Sequence, residues 1–258
     1  MFPFVYKMKK SAKKFYYHPK GLFQHALLTM ESLEKIFEKL SGYFPSVNEK
    51  LSQYLCENFS QNVNRKNLLK FIAIFHDCAK PKCAKKIGKV MRFLGHEEIG
   101  SKYISMIMKN LKMSNREIEY ACSVVLYHMR PSNLLKSETV TERAKLRLFR
   151  DIGNIVPDLL LLALADWHSY KPLKIYSRKG LKQQEKYVNE FMNAYFDLLT
   201  KPKKEKIIDG NILMNELKIA PGKIIGKLLK LINDKYDEGL IKTKQEAIAF
   251  AKKQVKKL

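Results

Sequence analysis

Apolar residues recur at three- and four-residue steps along most of this chain, which is the spacing of an amphipathic helix. No segment shows the sustained alternation of apolar and polar residues that is typical of strands, and no internal repeat is present. The pattern is clearest in the stretch 22–40, which carries Phe23, Ala26, Leu27, Met30, Leu33, Phe37 and Leu40. We therefore predict an all-helical fold, a bundle with a small helical extension at its C-terminal end.

Prolines, glycines and capping residues mark the ends of the expected helices. Ser114 followed three residues later by Glu117 has the form of a capping box, and Thr243 is placed to cap a last helix that runs to Lys257. The helices are predicted at 22–40, 47–64, a stretch that ends near His76 and is terminated by Pro81, 96–111, a stretch from 115 to His128, 141–150, a stretch from Pro157 to His168, 183–199, and on both sides of Pro221-Gly222.

Composition changes along the chain suggest three parts. We expect a basic and aromatic segment at 1–17, a main helical domain at 18–200 and a helical tail at 207–258, with a lysine-rich linker at 201–206. The first segment fits two interpretations: a basic arm whose aromatic rings stack on nucleic acid, or a first helix whose rings pack on the core.

One stretch combines a buried pattern with ionisable residues. Five apolar residues, Phe71 to Phe75, lead directly into His76 and Asp77. A carboxylate and an imidazole at the edge of a core cost free energy unless something pairs with them. A divalent metal is the partner that best fits a neutral imidazole beside an ionised carboxylate. The alternative is a buried histidine hydrogen-bonded to its neighbours, with Asp77 ending the helix, and the pair alone does not decide between them.

Other residues with metal-binding side chains lie within predicted helices or at their ends, mostly beside apolar residues. Taken singly, each histidine would usually be a core residue, but six hard or borderline ligands on five helices together indicate a metal site. We predict one metal at His25, His76, Asp77 and Asp166, with His96 and His128 completing a second. The donor types fit Mn, Fe, Co, Ni, Zn or Mg, and the sequence does not distinguish among them or between one ion and two.

Charge and cysteine usage narrow the class of protein. The net charge of +24 favours contact with nucleic acid, although a general lysine bias would produce the same excess.

No apolar run reaches eighteen residues and the N-terminus lacks the order of a secretory signal, so we expect no membrane contact and a cytoplasmic location. None of the four cysteines forms a C-x-x-C pair, which favours free thiols in a reducing compartment. A zinc site built from His76, Cys78 and Cys83 matches no common spacing.

The order of these histidines and aspartates resembles the HD superfamily of metal-dependent phosphohydrolases. The run His76-Asp77-Cys78-Ala79-Lys80 is similar to the superfamily's HD-x-x-K form. The resemblance implies an HD-domain helical bundle and hydrolysis of a nucleotide, a cyclic nucleotide phosphate or an RNA-end phosphate by metal-activated water. It places Lys80 beside the substrate phosphate, with Asp77 orienting the water, and we expect Lys82 or Arg130 to help balance the phosphate charge.

A second resemblance covers roughly residues 18 to 258. The run Gly95 to Gly100, the Ala165-Asp166 pair and the tail from Leu217 through Pro221-Gly222 to Leu229 look like the C-terminal half of bacterial CCA-adding enzymes, the tRNA nucleotidyltransferases. The sequence lacks the Gly-Gly/Ser stretch and paired-aspartate motif of that family's catalytic head, so we expect no nucleotide addition by this chain alone. The alternative function implied here is a tRNA-binding subunit that works with a separate nucleotidyltransferase.

Overall fold

The computed structural model describes residues 3–10, 21–61, 63–135, 140–171, 177–200, 207–237 and 239–255. Most of the basic and aromatic segment predicted at 1–17, the linker at 201–206 and the end of the last helix at Lys257 lie outside the described residues.

The described chain is almost entirely helical, as predicted. Its strands form two short antiparallel hairpins. The elements in chain order are α1 (Pro3–Lys10), α2 (Leu22–Glu38), α3 (Leu40–Tyr43), α4 (Asn48–Leu55), β1 (Asn58–Ser60), β2 (Val63–Asn64), α5 (Arg65–Phe75), α6 (Lys80–Cys83), β3 (Lys85–Ile87), β4 (Val90–Arg92), α7 (His96–Asn110), α8 (Asn115–Tyr127), α9 (Met129–Leu134), α10 (Glu142–Ile152), a 3-10 turn (Gly153–Ile155), α11 (Val156–Ser169), α12 (Arg178–Thr200), α13 (Gly210–Leu217), α14 (Lys223–Asp237) and α15 (Lys244–Val255).

The chain divides into two compact units. The first comprises residues 1–140 and 151–199, and the second comprises residues 141–150 and 200–258. The domain bounds expected from the sequence stay a prediction.

Helix α11 is central to the first unit. Its residues 159–165 are all buried, because an element that is apolar on every face must be surrounded by others. It packs on α2, and α2 packs on α5; α8 in turn packs on α5 and on α7. This arrangement brings the ends of several helices together on one side of the core.

Gly100 allows α7 to approach the segment that follows α5. A Cβ atom at this position would lie 3.1 Å from Val125 Cγ1, 3.7 Å from the carbonyl oxygen of His76 and 3.8 Å from Ala79 Cβ. The expected close packing beside His96 is therefore present, and it depends on the absence of a side chain at Gly100.

Neither hairpin is indicated by the pattern of apolar and polar residues. The stretch 47–64, predicted to be a weak helix, forms α4 and then the β1–β2 hairpin. The basic stretch that follows Pro81 forms the β3–β4 hairpin, with Ile87 paired with Val90 and Gly88 at φ 61° in the turn. Strands this short carry too few residues to show a period of two.

The second unit has its own small core. Asp209 caps α13 through a hydrogen bond from the Ile212 N–H, and Thr243 caps α15 as predicted, accepting from the Glu246 N–H at 3.2 Å. Apolar residues from the three helices and the connections between them form the core: Ile208, Leu213, Ile225, Leu228, Ile232, Ile241, Ala247 and Ala251.

None of the helices in the described ranges has both the length and the apolar character needed to cross a membrane.

Candidate metal centre

Five helices of the first unit bring the predicted ligands to one place. His25 lies on α2, His76 and Asp77 directly follow α5, and His96 is the first residue of α7. His128 follows α8, and Asp166 lies near the end of α11. All are buried except Asp166, whose side chain is 29% exposed.

Asp77 occupies the middle of the cluster, and its two carboxylate oxygens face different histidines. Oδ1 lies 3.4 Å from Nε2 of both His96 and His128. Oδ2 lies 3.3 Å from His76 Nε2 and 3.7 Å from His25 Nε2. The carboxylate thus joins two groups of histidines into one site.

Asp166 lies on the side of the cluster where His25 and His76 meet. Its Oδ1 is 3.0 Å from His25 Nε2 and 4.0 Å from His76 Nε2. Donor atoms bound to one ion at about 2.1 Å and at right angles lie roughly 3.0 Å apart, so these separations are of the size expected for shared ligands.

Backbone carbonyls fix the orientation of three histidines. Nδ1 of His76 donates to the carbonyl of Ala73 at 2.8 Å, Nδ1 of His96 to that of Phe93 at 2.7 Å, and Nδ1 of His128 to that of Val125 at 2.7 Å. Because a carbonyl oxygen only accepts, Nδ1 must carry the proton in each ring. The neutral form of each ring therefore presents a lone pair at Nε2, toward Asp77.

Ser169 has the same effect on His25. Its hydroxyl donates its single proton to the carbonyl of Asp166 at 2.5 Å, so at 3.0 Å from His25 Nδ1 it accepts from that nitrogen. The Nε2 lone pair of His25 then faces Asp166. A hydrogen bond that holds the outer nitrogen of a histidine is the usual support of a metal ligand.

These hydrogen bonds leave acceptor atoms facing one another. His96 Nε2 and His128 Nε2 are 3.4 Å apart, and both approach Asp77 Oδ1. Among the described residues, Asp77 Oδ1 and Asp166 Oδ1 are buried and receive no hydrogen bond of good geometry. Converging acceptor atoms need positive charge between them, which either protons or a metal ion can supply, and the set of two carboxylates and four imidazoles fits a divalent metal.

The charges of the site keep its carboxylates ionised. Burial raises the pKa of Asp77, but the adjacent His76 and the ammonium group of Lys80 outweigh it and hold that pKa well below its usual range. Burial also acts against ionisation of Asp166, yet the adjacent His25 outweighs it and lowers that pKa to about 2. Burial lowers the pKa of His25 and of His128, which favours their neutral, ligating forms.

Two triplets of side chains have donor atoms close enough to share an ion: His25 with His76 and Asp166, and His76 with Asp77 and His128. No cysteine of the described residues belongs to such a group. Burial raises the pKa of Cys78 to about 12, so its thiol stays protonated, and the four cysteines are free.

A cleft of about 430 Å³ opens beside this cluster, with Lys80, His96 and Asp166 in its wall. Lys80 Nζ lies 2.5 Å from Asp77 Oδ2, so a positive charge stands where the cleft meets the carboxylates. The remaining wall comes from β4 and the loop after it, from α9, and from Trp167 and Tyr170 at the end of α11.

The other two predicted phosphate-binding residues do not line this cleft. Lys82 lies in a neighbouring cavity of about 270 Å³, and its ammonium group is 5.9 Å from the centre of the Tyr103 ring. Arg130 forms an ion pair with Asp151 at 3.1 Å.

Sequence reasoning missed several residues of the cleft. Arg92 and Asn133 supply polar groups, and Trp167 and Tyr170 supply aromatic surface. The two aromatic residues could have been found from the sequence, because both follow Asp166 within about one helical turn. For Arg92, the sequence offered no indication beyond its position in a basic stretch.

The fold and the cluster together define a class, the all-helical proteins that bind a metal through histidines and aspartates on several helices. The sequence model of the HD domain matches residues 22–171, more than half of the chain. The chain therefore belongs to the HD domain family, whose members bind divalent metals. The model of tRNA nucleotidyltransferase domain 2 matches residues 167–251.

Curated relatives agree with both assignments. A CC-adding tRNA nucleotidyltransferase of Thermus thermophilus is 28% identical over 182 residues, which cover 69% of this chain and 38% of the relative. An A-adding tRNA nucleotidyltransferase of Deinococcus radiodurans is 24% identical over 195 residues, 72% of this chain and 41% of the relative. This chain thus spans about two fifths of the length of these relatives. The resemblance to an HD domain with the tail of CCA-adding enzymes is confirmed.

Proposed function

We propose that this chain is a metal-dependent phosphohydrolase that acts on the phosphate of a nucleotide, a cyclic nucleotide phosphate or an RNA end. One observation carries the proposal: four histidines present Nε2 to two ionised aspartates beside a cleft that contains a lysine. Such a site combines metal ligands with a place for an anionic group.

The ligand assignment follows the two faces of Asp77. His25, His76 and Asp166 with Asp77 Oδ2 would hold one ion, and His96 and His128 with Asp77 Oδ1 would hold a second. When bound, a divalent metal supplies Lewis-acid activation of a phosphate and of a water molecule.

The chain's own residues supply charge and orient the water. Asp77 is ionised, so it can orient a water, whose proton passes to solvent. In the proposed hydrolysis the water oxygen bonds to phosphorus, the bond from phosphorus to the leaving oxygen breaks, and that oxygen takes up a proton from solvent. Lys80 balances the phosphate charge within the cleft, and Lys82 adds positive charge outside it, whereas the charge of Arg130 is paired with that of Asp151.

The test is phosphate release from nucleoside 2′,3′-cyclic phosphates, monophosphates, diphosphates and triphosphates with Mn, Ni, Co or Mg. A phosphatase is added for the cyclic substrates, because opening the ring frees no phosphate. We expect turnover that requires metal and falls at least about a hundred-fold in Asp77→Asn, which keeps the shape of the side chain while removing its charge.

Glu98→Gln is the matched control, because Glu98 is an exposed carboxylate two residues beyond His96 and does not line the cleft. This variant keeps full turnover. Turnover of Asp77→Asn equal to that of the native protein would reject the proposal. Absence of phosphate release by the native protein with every metal and substrate would also reject it.

A second candidate function is a tRNA-binding subunit that works with a separate nucleotidyltransferase. The match of residues 167–251 to tRNA nucleotidyltransferase domain 2 favours it, since a hydrolase has no need of that tail. It is tested by measuring tRNA binding of the chain, and nucleotide addition when the chain is mixed with a nucleotidyltransferase head from the same source. Weak, salt-insensitive tRNA binding would reject it.

A further inference from the structure

The β3–β4 hairpin forms a positively charged arm beside the metal centre. Residues 85–90 are all exposed, including the apolar Ile87 and Val90. From residue 80 to residue 95 the sequence contains no acidic residue, and its cations are Lys80, Lys82, Lys85, Lys86, Lys89 and Arg92.

A second cavity lies under this arm and adjoins the cleft of the metal centre. Its volume is about 270 Å³, and Lys82, Lys85 and Ile87 line it. Arg92 and Leu94 line both this cavity and the metal cleft, so the two spaces share a wall. Arg92 therefore lies between the two spaces, where its side chain can meet a ligand in either.

The cations of the second cavity are available to an anion. Among the described residues, no ion pair joins a carboxylate to Lys82, Lys85 or Arg92, and the ammonium group of Lys82 lies 5.9 Å from the centre of the Tyr103 ring. Glu97, a carboxylate in the wall of the metal cleft, has Oε2 3.3 Å from His96 Nδ1 and does not line the second cavity. Unpaired cations around a concave surface favour phosphate.

The dimensions indicate what the two spaces hold. The metal cleft of about 430 Å³ falls in the range of about 300–1,000 Å³ that is usual for small-ligand sites, which suits one nucleotide. The adjoining cavity combines three cations with the apolar side chains of Ile87 and Leu94. A phosphate followed by a nucleoside uses both kinds of surface, whereas a chain of phosphates uses only the cations.

We propose that the substrate of this site is the end of a single-stranded RNA, with the terminal nucleotide in the metal cleft and the phosphate of the preceding nucleotide between Arg92 and Lys85. This inference rests on the proposed hydrolysis and specifies its substrate. The hairpin then serves as the surface along which the RNA strand enters.

The first test compares adenosine 2′,3′-cyclic phosphate with a hexanucleotide RNA that ends in the same cyclic phosphate. We expect kcat/KM to be at least about ten-fold higher for the hexanucleotide, because the second phosphate adds charge-assisted contacts. In Lys85→Ala the ratio of the two kcat/KM values falls to near one, and the ratio depends less on salt concentration.

Lys109→Ala is the matched control. Lys109 is an exposed lysine on α7, thirteen residues beyond His96 and therefore about 20 Å along the helix. This variant keeps the native ratio. A native ratio near one, or the same ratio in Lys85→Ala and Lys109→Ala, would overturn the inference.

A binding measurement separates this inference from the proposed hydrolysis. Fluorescence anisotropy of a labelled hexanucleotide needs no turnover, and we expect Lys85→Ala but not Lys109→Ala to weaken binding by about ten-fold. If no substrate is hydrolysed but this difference appears, the hydrolase proposal fails and the RNA surface stands. Equal binding by both variants overturns the inference, and so does an inorganic tripolyphosphate that competes as well as the unlabelled hexanucleotide.

Discussion

At the scale of single residues, the centre depends on hydrogen bonds made outside it. The carbonyls of Ala73, Phe93 and Val125 come from the residue three positions before each histidine, so each ring is held by its own turn of the chain. These bonds leave Nε2 without a proton. The cluster is consequently a set of acceptors that gains stability when a cation is added.

The first prediction concerns metal and stability. Adding a divalent metal at about a hundred times its dissociation constant to metal-stripped protein stabilises the fold by about 2.7 kcal/mol, which raises Tm by roughly 5 to 10 °C. Asp77→Asn abolishes this shift in differential scanning fluorimetry.

His168→Gln keeps the shift and is the control, because His168 is a buried histidine two residues beyond Asp166 whose Nε2 lies 2.8 Å from Glu185 Oε1 instead. A metal-dependent rise in Tm that survives in Asp77→Asn would show that the ion binds elsewhere.

A second prediction concerns the buried Arg65. Its guanidinium is 2% exposed, bonds to Asp158 at 2.7 Å and to Glu57 at 2.5 Å, and stacks 4.1 Å from the ring centre of Tyr54. Arg65→Met leaves Asp158 buried without its cation and lowers the free energy of unfolding by about 3–5 kcal/mol, as measured by urea denaturation. Arg116→Met, which removes an exposed ion pair to the same Glu57, costs about 0–1 kcal/mol.

The cost of Arg65→Met also depends on pH. Burial raises the pKa of Asp158 to about 6 even though the charge of Arg65 opposes the shift, so removing Arg65 raises that pKa further. A carboxyl group with a raised folded-state pKa stabilises the fold at low pH, and this contribution is lost as the pH rises through that value. The difference between native protein and Arg65→Met is therefore smaller at pH 5 than at pH 8. An equal difference at both pH values would contradict this account.

At the scale of elements, the centre is assembled by helix ends. α5 ends at Phe75, so the prediction that Pro81 terminates this helix is wrong. Pro81 lies instead in the first turn of α6. The correction has a local cause: proline suits the first turn of a helix, where no hydrogen bond from its nitrogen is needed. The four residues from His76 to Ala79 thus form a turn that places Asp77 among the histidines.

The close approach of α7 yields a third prediction. Gly100→Val crowds Val125 and the carbonyl of His76, so it lowers the free energy of unfolding by about 2 kcal/mol and weakens metal binding. Gly226→Val is the control, because Gly226 is also helical and a Cβ there meets nothing within 4 Å. We expect that variant to be neutral or slightly stabilised. Both are measured by urea denaturation and metal titration, and equal losses would contradict the packing argument.

At the scale of the whole molecule, charge is the property that most shapes the choice of partner. The net charge is +24, and part of it forms a row in the second unit, where α14 carries exposed lysines at positions 223, 227 and 230. These positions share one face of the helix, since they are four and three residues apart. A row of this kind fits a phosphate backbone.

The fourth prediction tests that row. We expect tRNA affinity to fall at least about a hundred-fold between 50 and 200 mM salt, and the slope of log Kd against log salt to decrease by about 2 when the three lysines are replaced by glutamine. Replacing Lys39, Lys50 and Lys109, three exposed lysines of the first unit, leaves the slope close to native. Equal slopes in both triple variants would show that the α14 face does not contact RNA.

The sequence by itself determined most of the helices and their caps. The capping box of Ser114 and Glu117 is confirmed, with Glu117 Oε2 accepting from the Ser114 N–H at 2.7 Å. Such features depend on residues a few positions apart, so a linear pattern contains them. The sequence also marked His76 and Asp77 as candidates for a site, because ionisable side chains after a buried run are costly to leave unpaired.

Only the tertiary structure decided which of these residues meet. Asp77 joins histidines from four helices, His168 turns to Glu185, and Lys82 lies in a different cavity from Lys80. The cleft and the β3–β4 hairpin beside it appear only when distant segments are packed together. The physical reason is that burial and shape complementarity between helices, which act over large sequence separations, set these distances, whereas periodicity reports only what each helix does alone.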